Sequence, residues 1–236
     1  LFEKGGKLGG ILNILDNVSF KWPVTNFKDY LVRQVEKHSI TVQLGAEVTK
    51  EELLMDEFDS VVVAVGASPV IPPIPGVERE HVITAIDAYA KPDIVKGRVV
   101  VIGGGEIGVE CGMYMCDLGH EAKVLEMAGM LAQDSTPIHF YTMFRTAWQS
   151  REGFSSEVNA RVTRIEDNGV YFEREGEEHF VPADTVILAA GMKANIDEAF
   201  AISDSSEYES FRIGDCVHAG NIQKAQRSAL GAASNI

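Results

Sequence analysis

One short stretch constrains the fold of this chain more than any other. Gly103-x-Gly105-x-x-Gly108 follows directly on the apolar run Val99-Val100-Val101-Ile102 and opens a stretch, 106–118, whose apolar residues recur at helical spacing. Gly119-His120 ends that helix, and Glu121-Ala122-Lys123-Val124-Leu125-Glu126 reads as a second strand. Strand, glycine turn, helix and strand make one βαβ unit, which obliges parallel strands joined by a crossover helix and hence an α/β fold. The glycines have different tasks in such a turn. Gly103 makes the tight bend, Gly105 lets the backbone approach a pyrophosphate, and Gly108 lets helix and strand pack closely. The helix N-terminus then offers free N–H groups and the positive end of a dipole to phosphate, through Gly105, Glu106, Ile107 and Gly108. Glu126 closes the second strand about 20 residues beyond the turn, where an acidic side chain accepts hydrogen bonds from ribose hydroxyls. A carboxylate there disfavours a ribose 2′-phosphate, and the next basic residues are His139 and Arg145. NAD(H) is therefore expected rather than NADP(H).

The same plan occurs twice. Asp59-Ser60-Val61-Val62-Val63-Ala64-Val65-Gly66 is echoed by Asp184-Thr185-Val186-Ile187-Leu188-Ala189-Ala190-Gly191, Ala46-Glu47-Val48-Thr49 by Ala160-Arg161-Val162-Thr163, and Leu1-Phe2-Glu3 by Val124-Leu125-Glu126. Three matches in the same order imply two copies of one nucleotide-binding plan. Glu3 then holds in the first copy the place of Glu126 in the second. By the same alignment the first copy's glycine turn falls upstream of Leu1, so the chain reads as a fragment whose first copy lacks its first βα unit. Two further helices are expected at 26–38, where Phe27, Leu31 and Val35 share a face, and at 137–148, with Pro137 in the first turn.

Composition removes other classes. With 21 Lys and Arg against 35 Asp and Glu the formal charge is −14, and no two Lys or Arg residues are adjacent, so neither nucleic acid nor a membrane surface is an expected partner. No apolar run approaches the length of a spanning helix. Three cysteines cannot build a disulfide framework, which fits a reducing, cytoplasmic setting. The six histidines show no metal-ligand spacing with cysteine or carboxylate.

Taken together, Glu3 followed by Gly9-Gly10, the strand ending in Gly66, the turn at 103–108 and Ile213-Gly214-Asp215 before a helix resemble the two-dinucleotide flavoproteins of the pyridine nucleotide-disulfide oxidoreductase superfamily. The stretch Gly214-Asp215-Cys216-Val217-His218-Ala219-Gly220-Asn221-Ile222 is most similar to the C-terminal module of old-yellow-enzyme-like reductases, such as 2,4-dienoyl-CoA reductase, 2-enoate reductase and trimethylamine dehydrogenase. The resemblance implies two Rossmann-like domains, one inserted in the other: an FAD domain from 1–94 and 193–236, and an NAD(H) domain from 95–192. It implies hydride transfer from NADH to FAD and onward electron transfer, with no catalytic side chain required. An FMN domain and an iron-sulfur cluster would lie upstream, outside this chain. The implied cofactor contacts are Glu3, Gly9, Gly10, Val48, Ala64, Gly66, Gly214 and Asp215, together with Gly103, Gly105, Glu106, Ile107, Gly108, Glu126 and Gly191. Read from the residues alone, Asp215 is equally a turn or helix cap. Disulfide reductases of the superfamily carry a redox pair at the spacing of Cys111-x4-Cys116, but here both residues fall inside the helix after Gly108, on different faces, and read as unpaired thiols. Two other readings stay open: a free-standing ferredoxin- or rubredoxin-type reductase, and a module that holds ADP or NAD for structure only.

Overall fold

The computed structural model describes residues 1–55, 58–133, 135, 142–205 and 207–236. In chain order its principal elements are β1 (Phe2–Glu3), α1 (Trp22–Lys37), β2 (Gln43–Leu44), α2 (Lys50–Met55), β3 (Ser60–Val63), β4 (Ala67–Pro69), β5 (Val82–Thr84), α3 (Ala85–Ala90), β6 (Val99–Ile102), α4 (Glu106–Asp117), β7 (Ala122–Leu125), α5 (Thr142–Gln149), β8 (Phe154–Glu157), β9 (Arg161–Glu166), β10 (Gly169–Arg174), β11 (Glu177–Pro182), β12 (Thr185–Leu188), β13 (Met192–Ala194), α6 (Ile196–Ser203), β14 (Glu209–Arg212) and α7 (Ile222–Ala233). The helix expected at 26–38 is α1, and α5 covers the end of the one expected at 137–148, whose Pro137 lies outside the described residues.

The chain forms two compact units, Leu1–Ser68 with Met192–Ile236, and Pro69–Gly191. The sequence reading draws the first division at 94/95; the structure draws it at 68/69. The reason is non-local pairing: β5 lies parallel to β12, which ties residues 69–94 to the second unit.

The second unit is built on a five-stranded parallel sheet in the order β5-β12-β6-β7-β8. Parallel sheets are covered on both faces, and every residue of β6 and β12 is buried. Alternation along these strands assigns each face. Val100, Ile102, Leu125, Val186 and Leu188 join Ile165, Val170 and Phe172 of the antiparallel sheet β11-β10-β9 in one core. The opposite face takes α4, whose Gly112 leaves room for Val124 and Phe154: a Cβ there would stand 3.0 Å from Val124 Cγ2. Burying each of these Val and Ile side chains contributes about 1.5–3 kcal/mol.

At the mouth of β12, Asp184 accepts the Arg98 backbone N–H at 2.8 Å and pairs with the Arg98 guanidinium at 3.0 and 3.1 Å. The Arg98 side chain holds the Asp184 carboxyl down to about 2 from its ordinary 3.8. A depressed folded-state value means that the pairing stabilises the protein above the ordinary value and is lost as pH falls through the depressed one. Because both side chains are about half exposed, the effect is small: melting curves recorded between about pH 4 and pH 2 should show a modest fall in stability, part of which Asp184→Asn removes.

In the first unit, β1 pairs in parallel with β2, and β14 in parallel with β3, as two separate ladders. Val63, Ala199 and Cys216 form its small core, with Val61, Val65 and Ile202 against them. Lys28 is buried on α1 and ion-paired with Asp16 and Asp29.

Candidate functional site

The glycine turn between β6 and α4 leaves no room for a side chain at Gly103 or Gly108. Gly103 has φ +107°, and a Cβ on it would stand 2.4 Å from the Ala189 carbonyl oxygen. A Cβ on Gly108 would stand 1.9 Å from the Gly103 carbonyl oxygen, so helix and turn touch backbone to backbone. Gly105 differs: nothing lies within 4 Å of where its Cβ would be. Gly105, Glu106 and Ile107 are exposed, and no side chain caps the N-terminus of α4. Uncapped first-turn amides beside open space are what a phosphate group requires. Gly191, φ +100°, closes the neighbouring strand end with open space above it as well.

Glu126 stands where the ribose acid is expected, and the structure adds a second task for it. Its Oε2 accepts the Gly104 N–H and its Oε1 accepts the Ala128 N–H, both at 2.6 Å. Each carboxylate oxygen keeps a further acceptor direction for a hydroxyl. The loop after Glu126 folds back on the turn: Ala132 N–H donates to the Gly104 carbonyl at 2.6 Å, and the Leu131 side chain lies where a Cβ on Gly104 would be. Gly104 and Leu131 are the residues the sequence reading does not single out. The signal for the first is the glycine triplet itself, where the middle position also excludes a side chain.

The first unit repeats this arrangement at Glu3. Its Oε1 accepts the Gly5 N–H at 2.6 Å, as Glu126 Oε1 accepts that of Ala128. The main chain agrees: Ala46 N–H donates to the Glu3 carbonyl at 3.1 Å, and Ala160 N–H to the Glu126 carbonyl at 2.8 Å. Val48 lines a cavity of about 460 Å³ with Phe2, Gly45, Ala46, Glu47 and Leu53. Gly9, Gly10, Gly66 and Gly214 all have positive φ, which fits glycine at each, and Ala64 is exposed at the end of β3. Asp215 Oδ1 accepts the Gly220 N–H at 3.1 Å, a turn-closing bond that leaves its other oxygen available.

All three cysteines are free thiols. Cys111 is fully buried on α4, and burial pushes its thiol up to about 12; burial raises Cys116 also. Burial thus disfavours the thiolate form of both. Thiol titration in air should find both unpaired, and Cys116→Ser should keep most of the rate of NADH-dependent flavin reduction; loss of that rate in a folded variant would overturn the assignment. Among the described residues no group of three His, Cys, Asp or Glu side chains could hold a metal ion, and no helix is long and apolar enough to cross a membrane.

A glycine turn opening onto uncapped helix amides, with a carboxylate at the next strand end, defines a Rossmann-type dinucleotide-binding protein. Comparison with known proteins sharpens the class. The chain belongs to the pyridine nucleotide-disulphide oxidoreductase family, whose model matches residues 25–229. It is 32% identical over 237 residues to a bilirubin reductase of Mediterraneibacter gnavus, a match covering 99% of this chain and 36% of that protein. To an NADH oxidase of Thermoanaerobacter brockii it is 29% identical over 245 residues, covering 100% of this chain and 37% of the oxidase. Among solved structures, a 2-naphthoyl-CoA reductase superimposes with a TM-score of 0.85 at 27% identity, over 95% of this chain and 34% of that one. The chain thus spans little more than a third of the length of these relatives.

Proposed function

We propose that this chain is the FAD- and NAD(H)-binding portion of a larger flavin-dependent oxidoreductase. One observation carries the reading: Glu3 and Glu126 each grip the backbone N–H two residues on at 2.6 Å and each accept, through the main chain, the N–H of the alanine that opens the matching repeat. Two ribose seats of one design in a single chain suit two dinucleotides. The relatives named as a bilirubin reductase and an NADH oxidase support a redox role.

Bound together, the two dinucleotides would supply hydride and electron-transfer chemistry, for which this chain need furnish no acid or base. The protein's own task is alignment. Gly105, Glu106, Ile107 and Gly108 would hold the NAD(H) pyrophosphate by backbone N–H groups, and Glu126 would hold the adenosine ribose. Glu3, the Val48 cavity, Ala64, Gly66, Gly214 and Asp215 would line the FAD site, with Gly9 and Gly10 giving backbone access. The extra length of the relatives leaves room for an upstream FMN domain and an iron-sulfur cluster in the same polypeptide, in a cytoplasmic setting consistent with free thiols.

Anaerobic mixing of the longer protein with NADH tests the reading. Bleaching of the flavin absorbance within the turnover time is expected. A protein that binds NADH without bleaching would be a structural nucleotide module instead. The 236-residue chain alone should bind NADH yet hold FAD far more weakly than the longer protein; stoichiometric FAD on this chain would overturn the two-copy alignment.

A further inference from the structure

The turn between β6 and α4 carries a side chain whose charge opposes the ligand that the turn would receive. Gly103 N–H donates to the Leu125 carbonyl at 2.9 Å and Gly104 N–H to Glu126 Oε2 at 2.6 Å, so both amides ahead of the helix are taken. A phosphate is left with the N–H groups from Gly105 to Gly108, which no side chain caps. Glu106 lies inside that set. It is the acid of the first turn and is exposed, and among the described residues its carboxylate has no hydrogen-bond or ion-pair partner.

No cation within the βαβ unit offsets that charge. From 99 to 144 the one Lys or Arg is Lys123, and its ammonium pairs with Glu157 at 3.2 Å. Seats built for a run of terminal phosphates place a Lys beside the backbone amides. This turn presents a carboxylate instead, within about one helical turn, roughly 5.4 Å of rise, of every free amide.

Two opposed effects follow. In the empty site the carboxylate suits the positive end of the helix and stabilises α4. In the filled site it repels each phosphate charge laid on the same amides, and the repulsion grows with the charge of the phosphate. A dinucleotide presents two esterified phosphates of about one charge each, whereas the terminal phosphate of ADP or ATP carries about two. Their adenosine is the same, so a ribose contact at Glu126 does not tell these ligands apart.

On the reading of this turn and Glu126 as the NAD(H) seat, we propose that Glu106 is a specificity-determining residue of that seat. Its carboxylate turns away adenosine nucleotides that end in a phosphate, ADP and ATP, and admits the dinucleotide, whose phosphates are both esterified. It weakens all of these ligands, but in proportion to their charge.

Titration of the 236-residue chain with NADH, ADP, ATP and adenosine, as wild type and as Glu106→Gln, tests the assignment. At low salt the substitution should tighten NADH by about threefold, ADP by about tenfold and ATP by more, and leave adenosine unchanged. At about 1 M salt, where charges are screened beyond about 3 Å, the gains should shrink toward one. The melting midpoint should meanwhile fall by about 1–4 °C, because the carboxylate no longer meets the helix dipole. Tighter binding by a less stable protein is a combination that a packing role for Glu106 does not produce. Glu106→Asp should keep the wild-type order of affinities, and Glu106→Lys should favour ADP further. An unmoved ratio of NADH to ADP affinity in Glu106→Gln, or an equal gain for adenosine, would overturn the role of Glu106 and leave the seat standing. A wild-type chain that binds none of the four ligands would overturn the seat itself, and the role of Glu106 with it.

Discussion

Gly108→Ala is expected to abolish useful NADH binding. A Cβ at that position would stand 1.9 Å from the Gly103 carbonyl oxygen and 2.9 Å from its carbon, and backbone atoms cannot rotate away as a side chain would. Helix α4 must then back off from the turn that carries its N-terminal amides. Overpacking of this kind costs about 1–3 kcal/mol or somewhat more. The phosphate contacts would lose a similar amount, on the order of 100-fold in Kd. Fluorescence titration of the 236-residue chain with NADH reads the loss directly. Gly105→Ala is the control, because nothing stands within 4 Å of its Cβ in the protein itself. That variant should fold with wild-type stability and lose affinity only through contact with the nucleotide. A Gly108→Ala protein that binds NADH normally would remove the turn from the site.

Replacing Glu126 by alanine should act twice. The carboxylate holds the Gly104 and Ala128 N–H groups, and hydrogen bonds to a charged acceptor contribute about 1.5–3 kcal/mol each. The variant should therefore melt several degrees lower and bind NADH on the order of 100-fold more weakly. NADPH affinity should fall much less, because the carboxylate that repels a 2′-phosphate has gone, and the ratio of the two affinities should narrow toward one. Wild-type protein that prefers NADPH would show that the ribose assignment is mistaken.

The turn, its acid and the duplication were legible in the residues for one physical reason: each is local. Glycine at 103, 105 and 108 and an apolar run on either side are visible within thirty residues, and the repeat places Glu3 opposite Glu126 without any knowledge of packing. The boundary at 68/69 was not legible, because β5 earns its place only by pairing with β12 about a hundred residues later in the chain. The grip of Glu126 on Gly104 was hidden for a related reason. Main-chain donors are the same at every residue, so no side-chain pattern announces which N–H a carboxylate will reach. For Asp215 the two readings of the sequence converge, since one oxygen closes the turn to Gly220 and the other is available.

The position of β12 beside β6 sets an order on the birth of the second unit. β6 is complete at Ile102, but its neighbour on one side is not made until Leu188. At synthesis rates of about 5–20 residues per second, the run Val99–Ile102 spends roughly 4–17 s with that edge unpaired. During that interval a four-residue stretch of pure valine and isoleucine, every residue of which ends buried, presents an open ladder to every other nascent chain. A ribosome pausing anywhere between Ile102 and Leu188 would lengthen the exposure.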